Sequence, residues 1–276
     1  MTVPTIPLST GTGIPQLGLG TWPLDDAEVA DAVAAAAELG YRHIDTATRY
    51  GNEAGVGAGI RRSGIAREEF FVTTKLDGEF QGEGRAVAGL EAALDRMGFD
   101  YVDLLLMHWP LPQRGLFVDT WRTFETLLAD GRARAIGVSN FRVEHLETLL
   151  AQTTVVPAVN QIQLDPHIPR SAQRAYGAEH GIVTQSWSPL GGQGAGALRE
   201  PAVAEVAERV GRTPAQVVLR WHVQQGLVVI PKSASPERMR ENLAIFDFSL
   251  SDDDFATLAT LSRGPDAGVD SNVEGH

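Results

Sequence analysis

The sequence predicts an α/β fold, a (β/α)8 TIM barrel, because short β-branched or leucine-rich runs alternate with helical patterns along the whole chain. Eight such units are present, and eight is the number that closes a parallel sheet into a barrel. The length of 276 residues agrees, since barrels commonly use about 250 residues as one unit. We expect a single domain over residues 1–276, with a loose polar tail at 264–276.

The strands are predicted from the β-branched and leucine-rich runs, and the helices from apolar residues at helical spacing. The strand runs lie at 17–20, 41–44, 70–75, 102–107, 133–138, 157–161, 182–186 and 227–230. The helical patterns lie at 27–39, 84–97, 118–129, 143–151, 171–180, 214–224 and 236–244. Asp25 or Asp26 is expected to cap the first helix, and Ser235 the last of these. One further helix is predicted to start at Ser251, outside the repeat.

An open, doubly wound sheet is the competing architecture, and it requires a GxGxxG turn after its first strand. The segment GLGTWP at 18–23 lacks the last glycine. In GVGAGI at 55–60, Ile60 stands where the third glycine belongs. The small residues of 55–60 are therefore interpreted as a place of close helix packing, and the barrel is preferred.

The composition argues against several classes of protein. The net charge is −12 and the pI is near 5.0, so the surface repels a nucleic-acid backbone. No run approaches the roughly 18 apolar residues of a membrane span, and the N-terminus lacks the features of a signal peptide. Cysteine is absent, which fits a reducing compartment. We therefore expect a cytoplasmic protein that binds neither nucleic acid nor membrane.

Polar side chains follow nearly every predicted strand, where barrel enzymes carry their chemistry. They are Asp45, Tyr50, Lys75, His108, Ser139, Asn140, Gln161, Ser186, Trp187, Ser188, Lys232 and Ser233. Because the C-terminal ends of parallel strands share one face of a barrel, we expect these side chains to meet in one site.

Asp45, Tyr50 and Lys75 are predicted to form a chain in which each group sets the charge of the next. Tyrosine titrates near pH 10, so acting as an acid near neutrality needs a shift worth about 4 kcal/mol. One cation about 4 Å away supplies roughly that at an effective dielectric near 20. A buried lysine tends to lose its proton, and pairing with Asp45 prevents this. His108 adds a donor able to orient a carbonyl oxygen.

Three of these residues have an ordinary structural explanation when taken alone, Tyr50 as a half-buried tyrosine, Asp45 as a cap and His108 as a hydrogen-bonded core histidine. Lys75 alone is unusual, because the FFVTTK run would bury it at the barrel mouth. Their coincidence at consecutive strand ends favours catalysis. Arg49, which lies between Asp45 and Tyr50, is interpreted as an incidental solvated charge.

Other chemistries fit less well. No metal site is expected, because the seven histidines show no metal-ligand spacing and cysteine is absent. No GxSxG motif is present either. The strand ends also lack the paired carboxylates of a glycosidase. A proton donor without a nucleophile or a metal indicates that a cofactor brings the other reactant, and a hydride is the natural candidate.

A cluster of cations after the eighth strand suits a phosphate. The segment PKSASPERMREN at 231–242 contains Lys232, Arg238 and Arg240, and the loop after strand eight is a usual phosphate site in barrels. A basic helix face is the alternative interpretation. The glycines of SPLGGQGAG at 188–196 allow backbone to approach a pyrophosphate, or make a mobile loop.

Other strand-end residues suit an aromatic ring and a carboxamide group. Trp187 offers a flat apolar face to an aromatic ring. Ser139, Asn140 and Gln161 have donors and acceptors for a carboxamide.

Seven motifs stand in order along the chain: YRHIDTATRYGNE, TTKL, DLLLMHWP, IGVSNF, VNQIQLDP, SPLG and IPKSASPERMREN. Together they resemble the aldo-keto reductases across essentially the entire chain, and most closely the bacterial 2,5-diketo-D-gluconate reductases. The resemblance implies a monomeric barrel that uses NADPH to reduce small-molecule aldehydes and ketones.

The resemblance also implies roles for individual residues. Tyr50 matches the general acid, Asp45 and Lys75 match the groups that tune it, and His108 matches the group that orients the carbonyl. Trp22 and Trp109 match walls of the substrate pocket. The positions that match cofactor contacts are Thr21, Ser139, Asn140, Gln161, Trp187, Ser188, Leu190, Gly191, Lys232, Ser233, Arg238, Glu241 and Asn242.

Three departures from the family pattern bear on specificity. Relatives commonly carry tryptophan after TTKL, as a wall of the pocket, where this chain has Asp77. Ser235 stands where a relative has a further arginine for the 2′-phosphate, so we expect a less extreme preference for NADPH. The tail is short and polar. These departures predict a wide, permissive pocket.

Two functions from different classes stay open. One is an NADPH-dependent carbonyl reductase, and the other is a cofactor-binding sensor or subunit that kept the barrel and its pocket. The intact set of four residues that match the catalytic groups favours the reductase, because a pure binder needs no proton donor. A barrel lyase or isomerase is a weaker third option, since Lys232 and Arg238 indicate a nucleotide phosphate.

Overall fold

Ten strands and ten helices make up the fold in a computed structural model, which describes residues 3–82, 84–192, 194–265 and 267–276. The strands are β1 (Thr5–Pro7), β2 (Gly13–Pro15), β3 (Leu19–Gly20), β4 (His43–Asp45), β5 (Phe71–Leu76), β6 (Leu104–Met107), β7 (Ile136–Ser139), β8 (Val159–Gln163), β9 (Val183–Trp187) and β10 (Val228–Val229). The helices are α1 (Asp26–Leu39), α2 (Glu53–Arg62), α3 (Arg85–Met97), α4 (Phe117–Ala129), α5 (Val143–Leu150), α6 (Ser171–Glu179), α7 (Pro201–Val210), α8 (Pro214–Gln224), α9 (Pro236–Leu243) and α10 (Asp252–Ala259). Gln193, within the glycine-rich segment predicted near a pyrophosphate, lies outside the described residues.

The eight strands β3 to β10 form one parallel sheet in sequence order, and its two edges meet. Parallel bridges join Leu17 to Val229 and Gly20 to Lys232. The Gly18 amide donates to the Val229 carbonyl at 2.8 Å. The sheet is thus closed, as the predicted barrel requires, and the open doubly wound alternative is wrong.

A short antiparallel hairpin of β1 and β2 precedes the barrel and was not predicted. Leu8 and Ile14 from this hairpin pack in one hydrophobic cluster with Phe71, Leu104 and Val228, which stand early in their strands. The hairpin therefore covers the N-terminal ends of the strands. The predicted site residues lie at the opposite end, which the hairpin does not cover.

All the helices predicted from the sequence are present. Two further helices, α2 and α7, were not predicted. Helix α2 contains the GVGAGI segment, whose glycines lower helix propensity, so its helical pattern is weak. The structure confirms the packing role predicted for these residues. A Cβ added to Gly59 would stand 2.7 Å from the Ala30 carbonyl oxygen, and one added to Gly57 would overlap the carbonyl of Met97. Helix α7 was also missed, although it buries Val203 and Val206 at helical spacing.

The C-terminal segment 267–276 is bound to the barrel, whereas the sequence predicted a loose tail. Arg142 forms an ion pair with Asp270 at 2.8 Å. Further along, the Gly78 amide donates to the carbonyl oxygen of His276 at 3.0 Å. The tail therefore runs back over the C-terminal face of the barrel. Among the helices that the structure describes, none combines the length and the apolar character needed to cross a membrane.

Candidate active site

The four predicted catalytic residues meet at the C-terminal face of the barrel. Lys75 Nζ lies 2.5 Å from Asp45 Oδ1 and donates to the Tyr50 hydroxyl at 3.3 Å. It also donates to the Thr46 carbonyl at 2.9 Å. The Tyr50 and His108 rings stand edge to face, with centroids 5.9 Å apart. Strand register explains this, because β4 and β5 are neighbours and His108 directly follows β6.

Local hydrogen bonds hold the turn that carries Tyr50. A single 3-10 turn, Thr48–Tyr50, follows β4, and its first hydroxyl donates to the Lys75 carbonyl at 3.0 Å. Asn52, which is fully buried, accepts from the Thr46 hydroxyl and donates to the Leu24 carbonyl, both at 2.8 Å. Asn52 was not identified from the sequence, where an asparagine before a helix looks like a simple cap. It ties the loop after β3 to the loop that presents the tyrosine.

The charge on Lys75 is set by its buried environment. Burial by itself lowers the pKa of this lysine, but the adjacent Asp45 carboxylate and the Tyr50 hydroxyl more than offset it, and the pKa is raised. Lys75 is therefore a cation at neutral pH. The pairing role predicted for Asp45 agrees with this electrostatic balance.

The pKa of Tyr50 moves in the direction opposite to the prediction. Burial raises it, and this effect exceeds the lowering by the Lys75 ammonium group. The prediction from the sequence did not include the cost of desolvating the phenolate, because the extent to which Tyr50 is buried cannot be deduced from the sequence. Tyr50 consequently keeps its proton at neutral pH. A nearby cation is still in place to stabilise the phenolate that remains after the proton leaves.

His108 is electrically neutral in this site. Its pKa is well below the usual value, first because it is buried and second because of the Lys75 cation. A neutral imidazole carries one N–H group, which can donate a hydrogen bond without adding a charge to the pocket.

Asp77 and Arg49 form a second ionic contact beside the catalytic four. Arg49 Nη1 lies 3.5 Å from Asp77 Oδ2, and the Arg49 side chain is 58% exposed. Arg49 is therefore a solvated charge, as interpreted from the sequence, but it also pairs with Asp77, which the sequence did not indicate. Asp77 occupies the position after β5 where the family pattern has a tryptophan. A carboxylate that is 3% exposed thus replaces an apolar wall.

The residues predicted near a nicotinamide form one chain of hydrogen bonds across three strand ends. Trp187 Nε1 donates to Asn140 Oδ1 at 2.9 Å, and Asn140 Nδ2 donates to Ser139 Oγ at 3.1 Å. Ser139 Oγ donates to the Gln161 carbonyl at 2.9 Å. Gln161 Nε2 donates to Asp45 Oδ2 at 2.7 Å. The chain therefore links this part of the site to the catalytic carboxylate.

Two residues of this region adopt left-handed backbone conformations that are rare for residues other than glycine. Asn140 has φ 63° and Ser188 has φ 51°, and each follows the end of a strand. Such conformations cost of order 1–3 kcal/mol and cluster at functional sites. Ser188 follows the C-terminal end of β9, on the face of the barrel where the predicted site residues meet. Its side chain makes no hydrogen bond within the described residues.

The predicted phosphate residues lie around the start of α9. Lys232 and Arg238 are exposed, whereas Ser233 is 3% exposed. The Ser235 hydroxyl accepts from the Arg238 amide at 3.3 Å and so caps the helix, as predicted. Two cations and a helix N-terminus therefore face one region.

The turn after β9 packs closely on the backbone of its own loop, at Gly196 and Ala197. Gly191 has φ 91°, and a Cβ added there would stand 2.6 Å from the Ala197 amide nitrogen. Only glycine fits such a position without strain. Leu190, its neighbour, is partly buried and packs against the hydrophobic core.

Two further residues predicted as cofactor contacts already have partners within the protein, and a third is buried. The Thr21 hydroxyl donates to the Asp45 carbonyl at 3.0 Å. Glu241 Oε1 accepts a short hydrogen bond from the Thr213 hydroxyl. Asn242 is 5% exposed.

The predicted substrate walls lie at the mouth, together with a residue that sequence reasoning missed. Trp22 is 50% exposed and Trp109 is 8% exposed. The ring of His276 stands 5.0 Å from the ring of His108 and 5.7 Å from that of Trp109. The space that a wide pocket would offer beside His108 is therefore filled by the tail. No local signal marks His276, because its contacts lie far away in the sequence.

Known proteins resemble this chain over its full length. The model of the Aldo/keto reductase family matches residues 10–263. Methylglyoxal reductase DkgA of Salmonella typhimurium is 44% identical over 276 residues, which is 100% of both chains. An aldo-keto reductase of Mycolicibacterium smegmatis is 49% identical over 97% of this chain and 96% of its own length. A crystal structure of a Gox0644 mutant in complex with NADPH matches with a TM-score of 0.94 and 41% identity, over 100% of both chains.

Proposed function

Because the chain belongs to the aldo/keto reductase family, we propose that it is an NADPH-dependent carbonyl reductase in which Tyr50 is the general acid. Family membership confirms the resemblance predicted from the motifs. The observation that carries the proposal is the hydrogen-bonded arrangement of Tyr50, Lys75 and Asp45 around one ammonium group.

The residues present fit NADPH. The exposed cations Lys232 and Arg238 suit a 2′-phosphate on a protein of net charge −12. The half-buried face of Trp187, fixed by Asn140, suits the nicotinamide ring. When bound, NADPH supplies the hydride, which this chain's own side chains do not provide.

The protein's own contribution is to hold and release a proton at the Tyr50 hydroxyl. With its pKa raised, the tyrosine enters the reaction protonated. Proton transfer to the carbonyl oxygen leaves a phenolate 3.3 Å from Lys75 Nζ. The ammonium stabilises this charge, and Asp45 keeps the ammonium protonated in a site that excludes water.

His108 acts as the neutral donor that orients the carbonyl. Its lowered pKa means that it brings no competing positive charge near Lys75. Its ring is held edge to face against Tyr50, which directs both donors toward one oxygen.

The walls of the pocket favour small, polar carbonyl compounds such as 2-oxoaldehydes or keto sugars. Asp77 and Arg49 supply polar groups beside the aromatic surfaces of Trp22 and Trp109. One relative is named as a methylglyoxal reductase, which agrees with this class. The permissive pocket predicted from the sequence then requires the His276 side chain to move aside.

The test is NADPH oxidation with methylglyoxal, an aromatic aldehyde and diketogluconate, using wild type and Tyr50→Phe. We expect turnover in wild type, and a loss of about 10²- to 10⁴-fold in the variant, with NADPH affinity unchanged. Tight NADPH binding without turnover on any of the three carbonyls would instead support the sensor function.

A further inference from the structure

Three potential metal ligands converge beside the catalytic tetrad. They are Asp77 Oδ1, His108 Nδ1 and His276 Nε2, and the three atoms lie within 4.8 Å of one another. His276 Nε2 is 3.6 Å and His108 Nδ1 is 3.9 Å from Asp77 Oδ1. These separations are too long for hydrogen bonds. They are close to the ~3.4 Å between ligand atoms around a tetrahedral ion with bonds of about 2.1 Å.

Two of the three atoms are buried and lack partners. In the part of the chain that the structure describes, neither Asp77 Oδ1 nor His108 Nδ1 has a hydrogen-bond partner. Both residues are at least nine-tenths buried, at 3% and 6% exposure. A buried polar atom without a hydrogen-bond partner destabilises the folded protein. The other carboxylate oxygen of Asp77 faces Arg49, so Oδ1 is the atom left for a ligand.

We propose that Asp77, His108 and His276 bind one zinc ion, with the fourth position open to water. Two imidazole nitrogens and one carboxylate oxygen form a ligand set that Zn²⁺ accepts readily, whereas Mg²⁺ prefers oxygen ligands. The proposal was out of reach from the sequence, because the three residues show no common spacing.

The barrel and the tail each supply part of this site. Asp77 follows β5 and His108 follows β6, and these strands are paired in the sheet. His276 reaches the site because its carbonyl accepts a hydrogen bond from the Gly78 amide at 3.0 Å. The site therefore exists only while the tail lies across the mouth of the barrel.

The local charges indicate a site of moderate, reversible affinity. The Arg49 guanidinium group lies 3.5 Å from the Asp77 carboxylate. The Lys75 ammonium group is close enough to His108 to repel a positive charge there. Both oppose a divalent cation. One carboxylate and two neutral imidazoles offset this repulsion in part. A bound zinc ion would fix His276 beside His108 and Trp109, where a substrate must enter, and so inhibit the proposed reduction competitively with the carbonyl.

The test is isothermal titration calorimetry of the full chain, without any added histidine tag, against zinc chloride. We expect one zinc ion per chain. His276→Gln should weaken the affinity at least tenfold, since even loss of an outer-shell partner of a metal costs 10- to 100-fold. His180→Gln is the matched control, because His180 stacks on Tyr176 away from the site, and its affinity should stay within about twofold of wild type.

A second variant and a second cation test whether the zinc binding is specific. Neither measurement depends on enzymatic turnover, and a melting curve shows whether the variant is folded. Asp77→Asn, checked for an unchanged melting curve, should also weaken zinc binding at least tenfold, and magnesium chloride should give no binding signal. Zinc affinity that is unchanged in His276→Gln would overturn the proposal, as would the absence of stoichiometric binding by wild type.

The inhibition rests on the proposed function, whereas the binding does not. In wild type, zinc should raise the apparent KM for the carbonyl, and His276→Gln should remove at least nine-tenths of this effect. Zinc inhibition of equal strength in wild type and His276→Gln would also overturn the proposed zinc site. A protein that binds zinc through these residues but reduces no carbonyl would refute the reductase and leave the metal site standing.

Discussion

The site has two halves, a catalytic half that contains Asp45 and Lys75 and a phosphate half that contains Lys232 and Arg238. The barrel fixes the geometry of the first half more closely than that of the second. Asp45 and Lys75 are 1% and 0% exposed and lie 2.5 Å apart. Lys232 and Arg238, by contrast, extend into solvent. Strand register places the first pair, whereas exposed side chains keep their rotamer freedom until a ligand orders them.

This difference determines what a substitution should do. Removing one member of a buried ion pair leaves an uncompensated charge, so stability and activity fall together. Removing an exposed cation takes away only its attraction for a ligand, which salt also screens. The catalytic half is therefore preorganised, and the phosphate half is a set of charges awaiting a partner.

The largest effect is expected for Lys75→Met. It leaves Asp45 buried without its cation, so we expect a loss of about 3–5 kcal/mol in the free energy of unfolding. Turnover should fall by at least 10²- to 10³-fold, because the phenolate loses its stabilising charge. Urea denaturation and NADPH oxidation measure the two effects.

The double variant Asp45→Asn/Lys75→Met is the control for the buried charge. It should regain most of the lost stability but none of the lost turnover. If the single variant keeps full stability, Asp45 and Lys75 are not coupled as the structure indicates.

The next effect comes from His43, which is buried directly below Asp45 at the start of β4. Burial lowers its pKa to about 4 from 6.5. Between these pH values the unfolded state binds more protons than the folded state, so the free energy of unfolding decreases as pH falls from 6.5 toward 4. The share of His43 in this loss is about 3 kcal/mol.

Urea denaturation across this pH range checks the contribution of His43. The variant His43→Gln should show a shallower pH dependence than wild type, whatever its stability at pH 7. Equal slopes for wild type and His43→Gln would show that His43 titrates normally in the folded state.

In the exposed half, Lys232→Ala is expected to act on cofactor affinity alone. Loss of a charge-assisted contact with the 2′-phosphate should weaken NADPH binding roughly tenfold, with no change in NADH binding or in the melting temperature. The difference between wild type and variant should shrink as salt is added. Cofactor fluorescence titrations at two ionic strengths measure this, and equal losses for NADPH and NADH would place Lys232 elsewhere in the site.

The sequence predicted those features that follow from the order of the strands in the barrel. It did not predict features that depend on the degree of burial or on contacts between distant segments of the chain. The meeting of Asp45, Tyr50 and Lys75 was predictable, because parallel strands bring their C-terminal ends to one face. The direction of the Tyr50 pKa was not, since the balance of burial against a cation depends on how completely water is excluded. His276 was missed because the tail reaches the site through backbone contacts that leave no sequence pattern.

Helix α2 shows a different limit. Its glycines argue against a helix by propensity, yet they are what allows the backbones of α1 and α3 to approach it. Packing overrides propensity there. The contact of Arg49 with Asp77 was missed for a related reason, since it joins two strand ends that only the barrel brings together.

The smallest effect is expected for Ser235→Arg, a change in the phosphate half. The effect of this variant on NADPH affinity shows whether the side chains of the phosphate half have a fixed geometry or adapt to the cofactor. Ser235→Arg adds a cation where a family relative carries one, next to Lys232 and Arg238. We expect NADPH to bind a few-fold more tightly, with no change for NADH. Ser235 also caps α9 and donates to Glu237 at 2.7 Å, so the variant should lose about 1 kcal/mol of stability.

Ser235→Ala separates these two contributions, because it removes the cap without adding charge. It should match the stability loss of Ser235→Arg while leaving NADPH affinity at or slightly below that of wild type. If the added arginine gives no gain in affinity, the phosphate half is as fixed in its geometry as the catalytic half. A gain that disappears at high salt would instead show that exposed charge alone, without preorganised geometry, sets the cofactor preference.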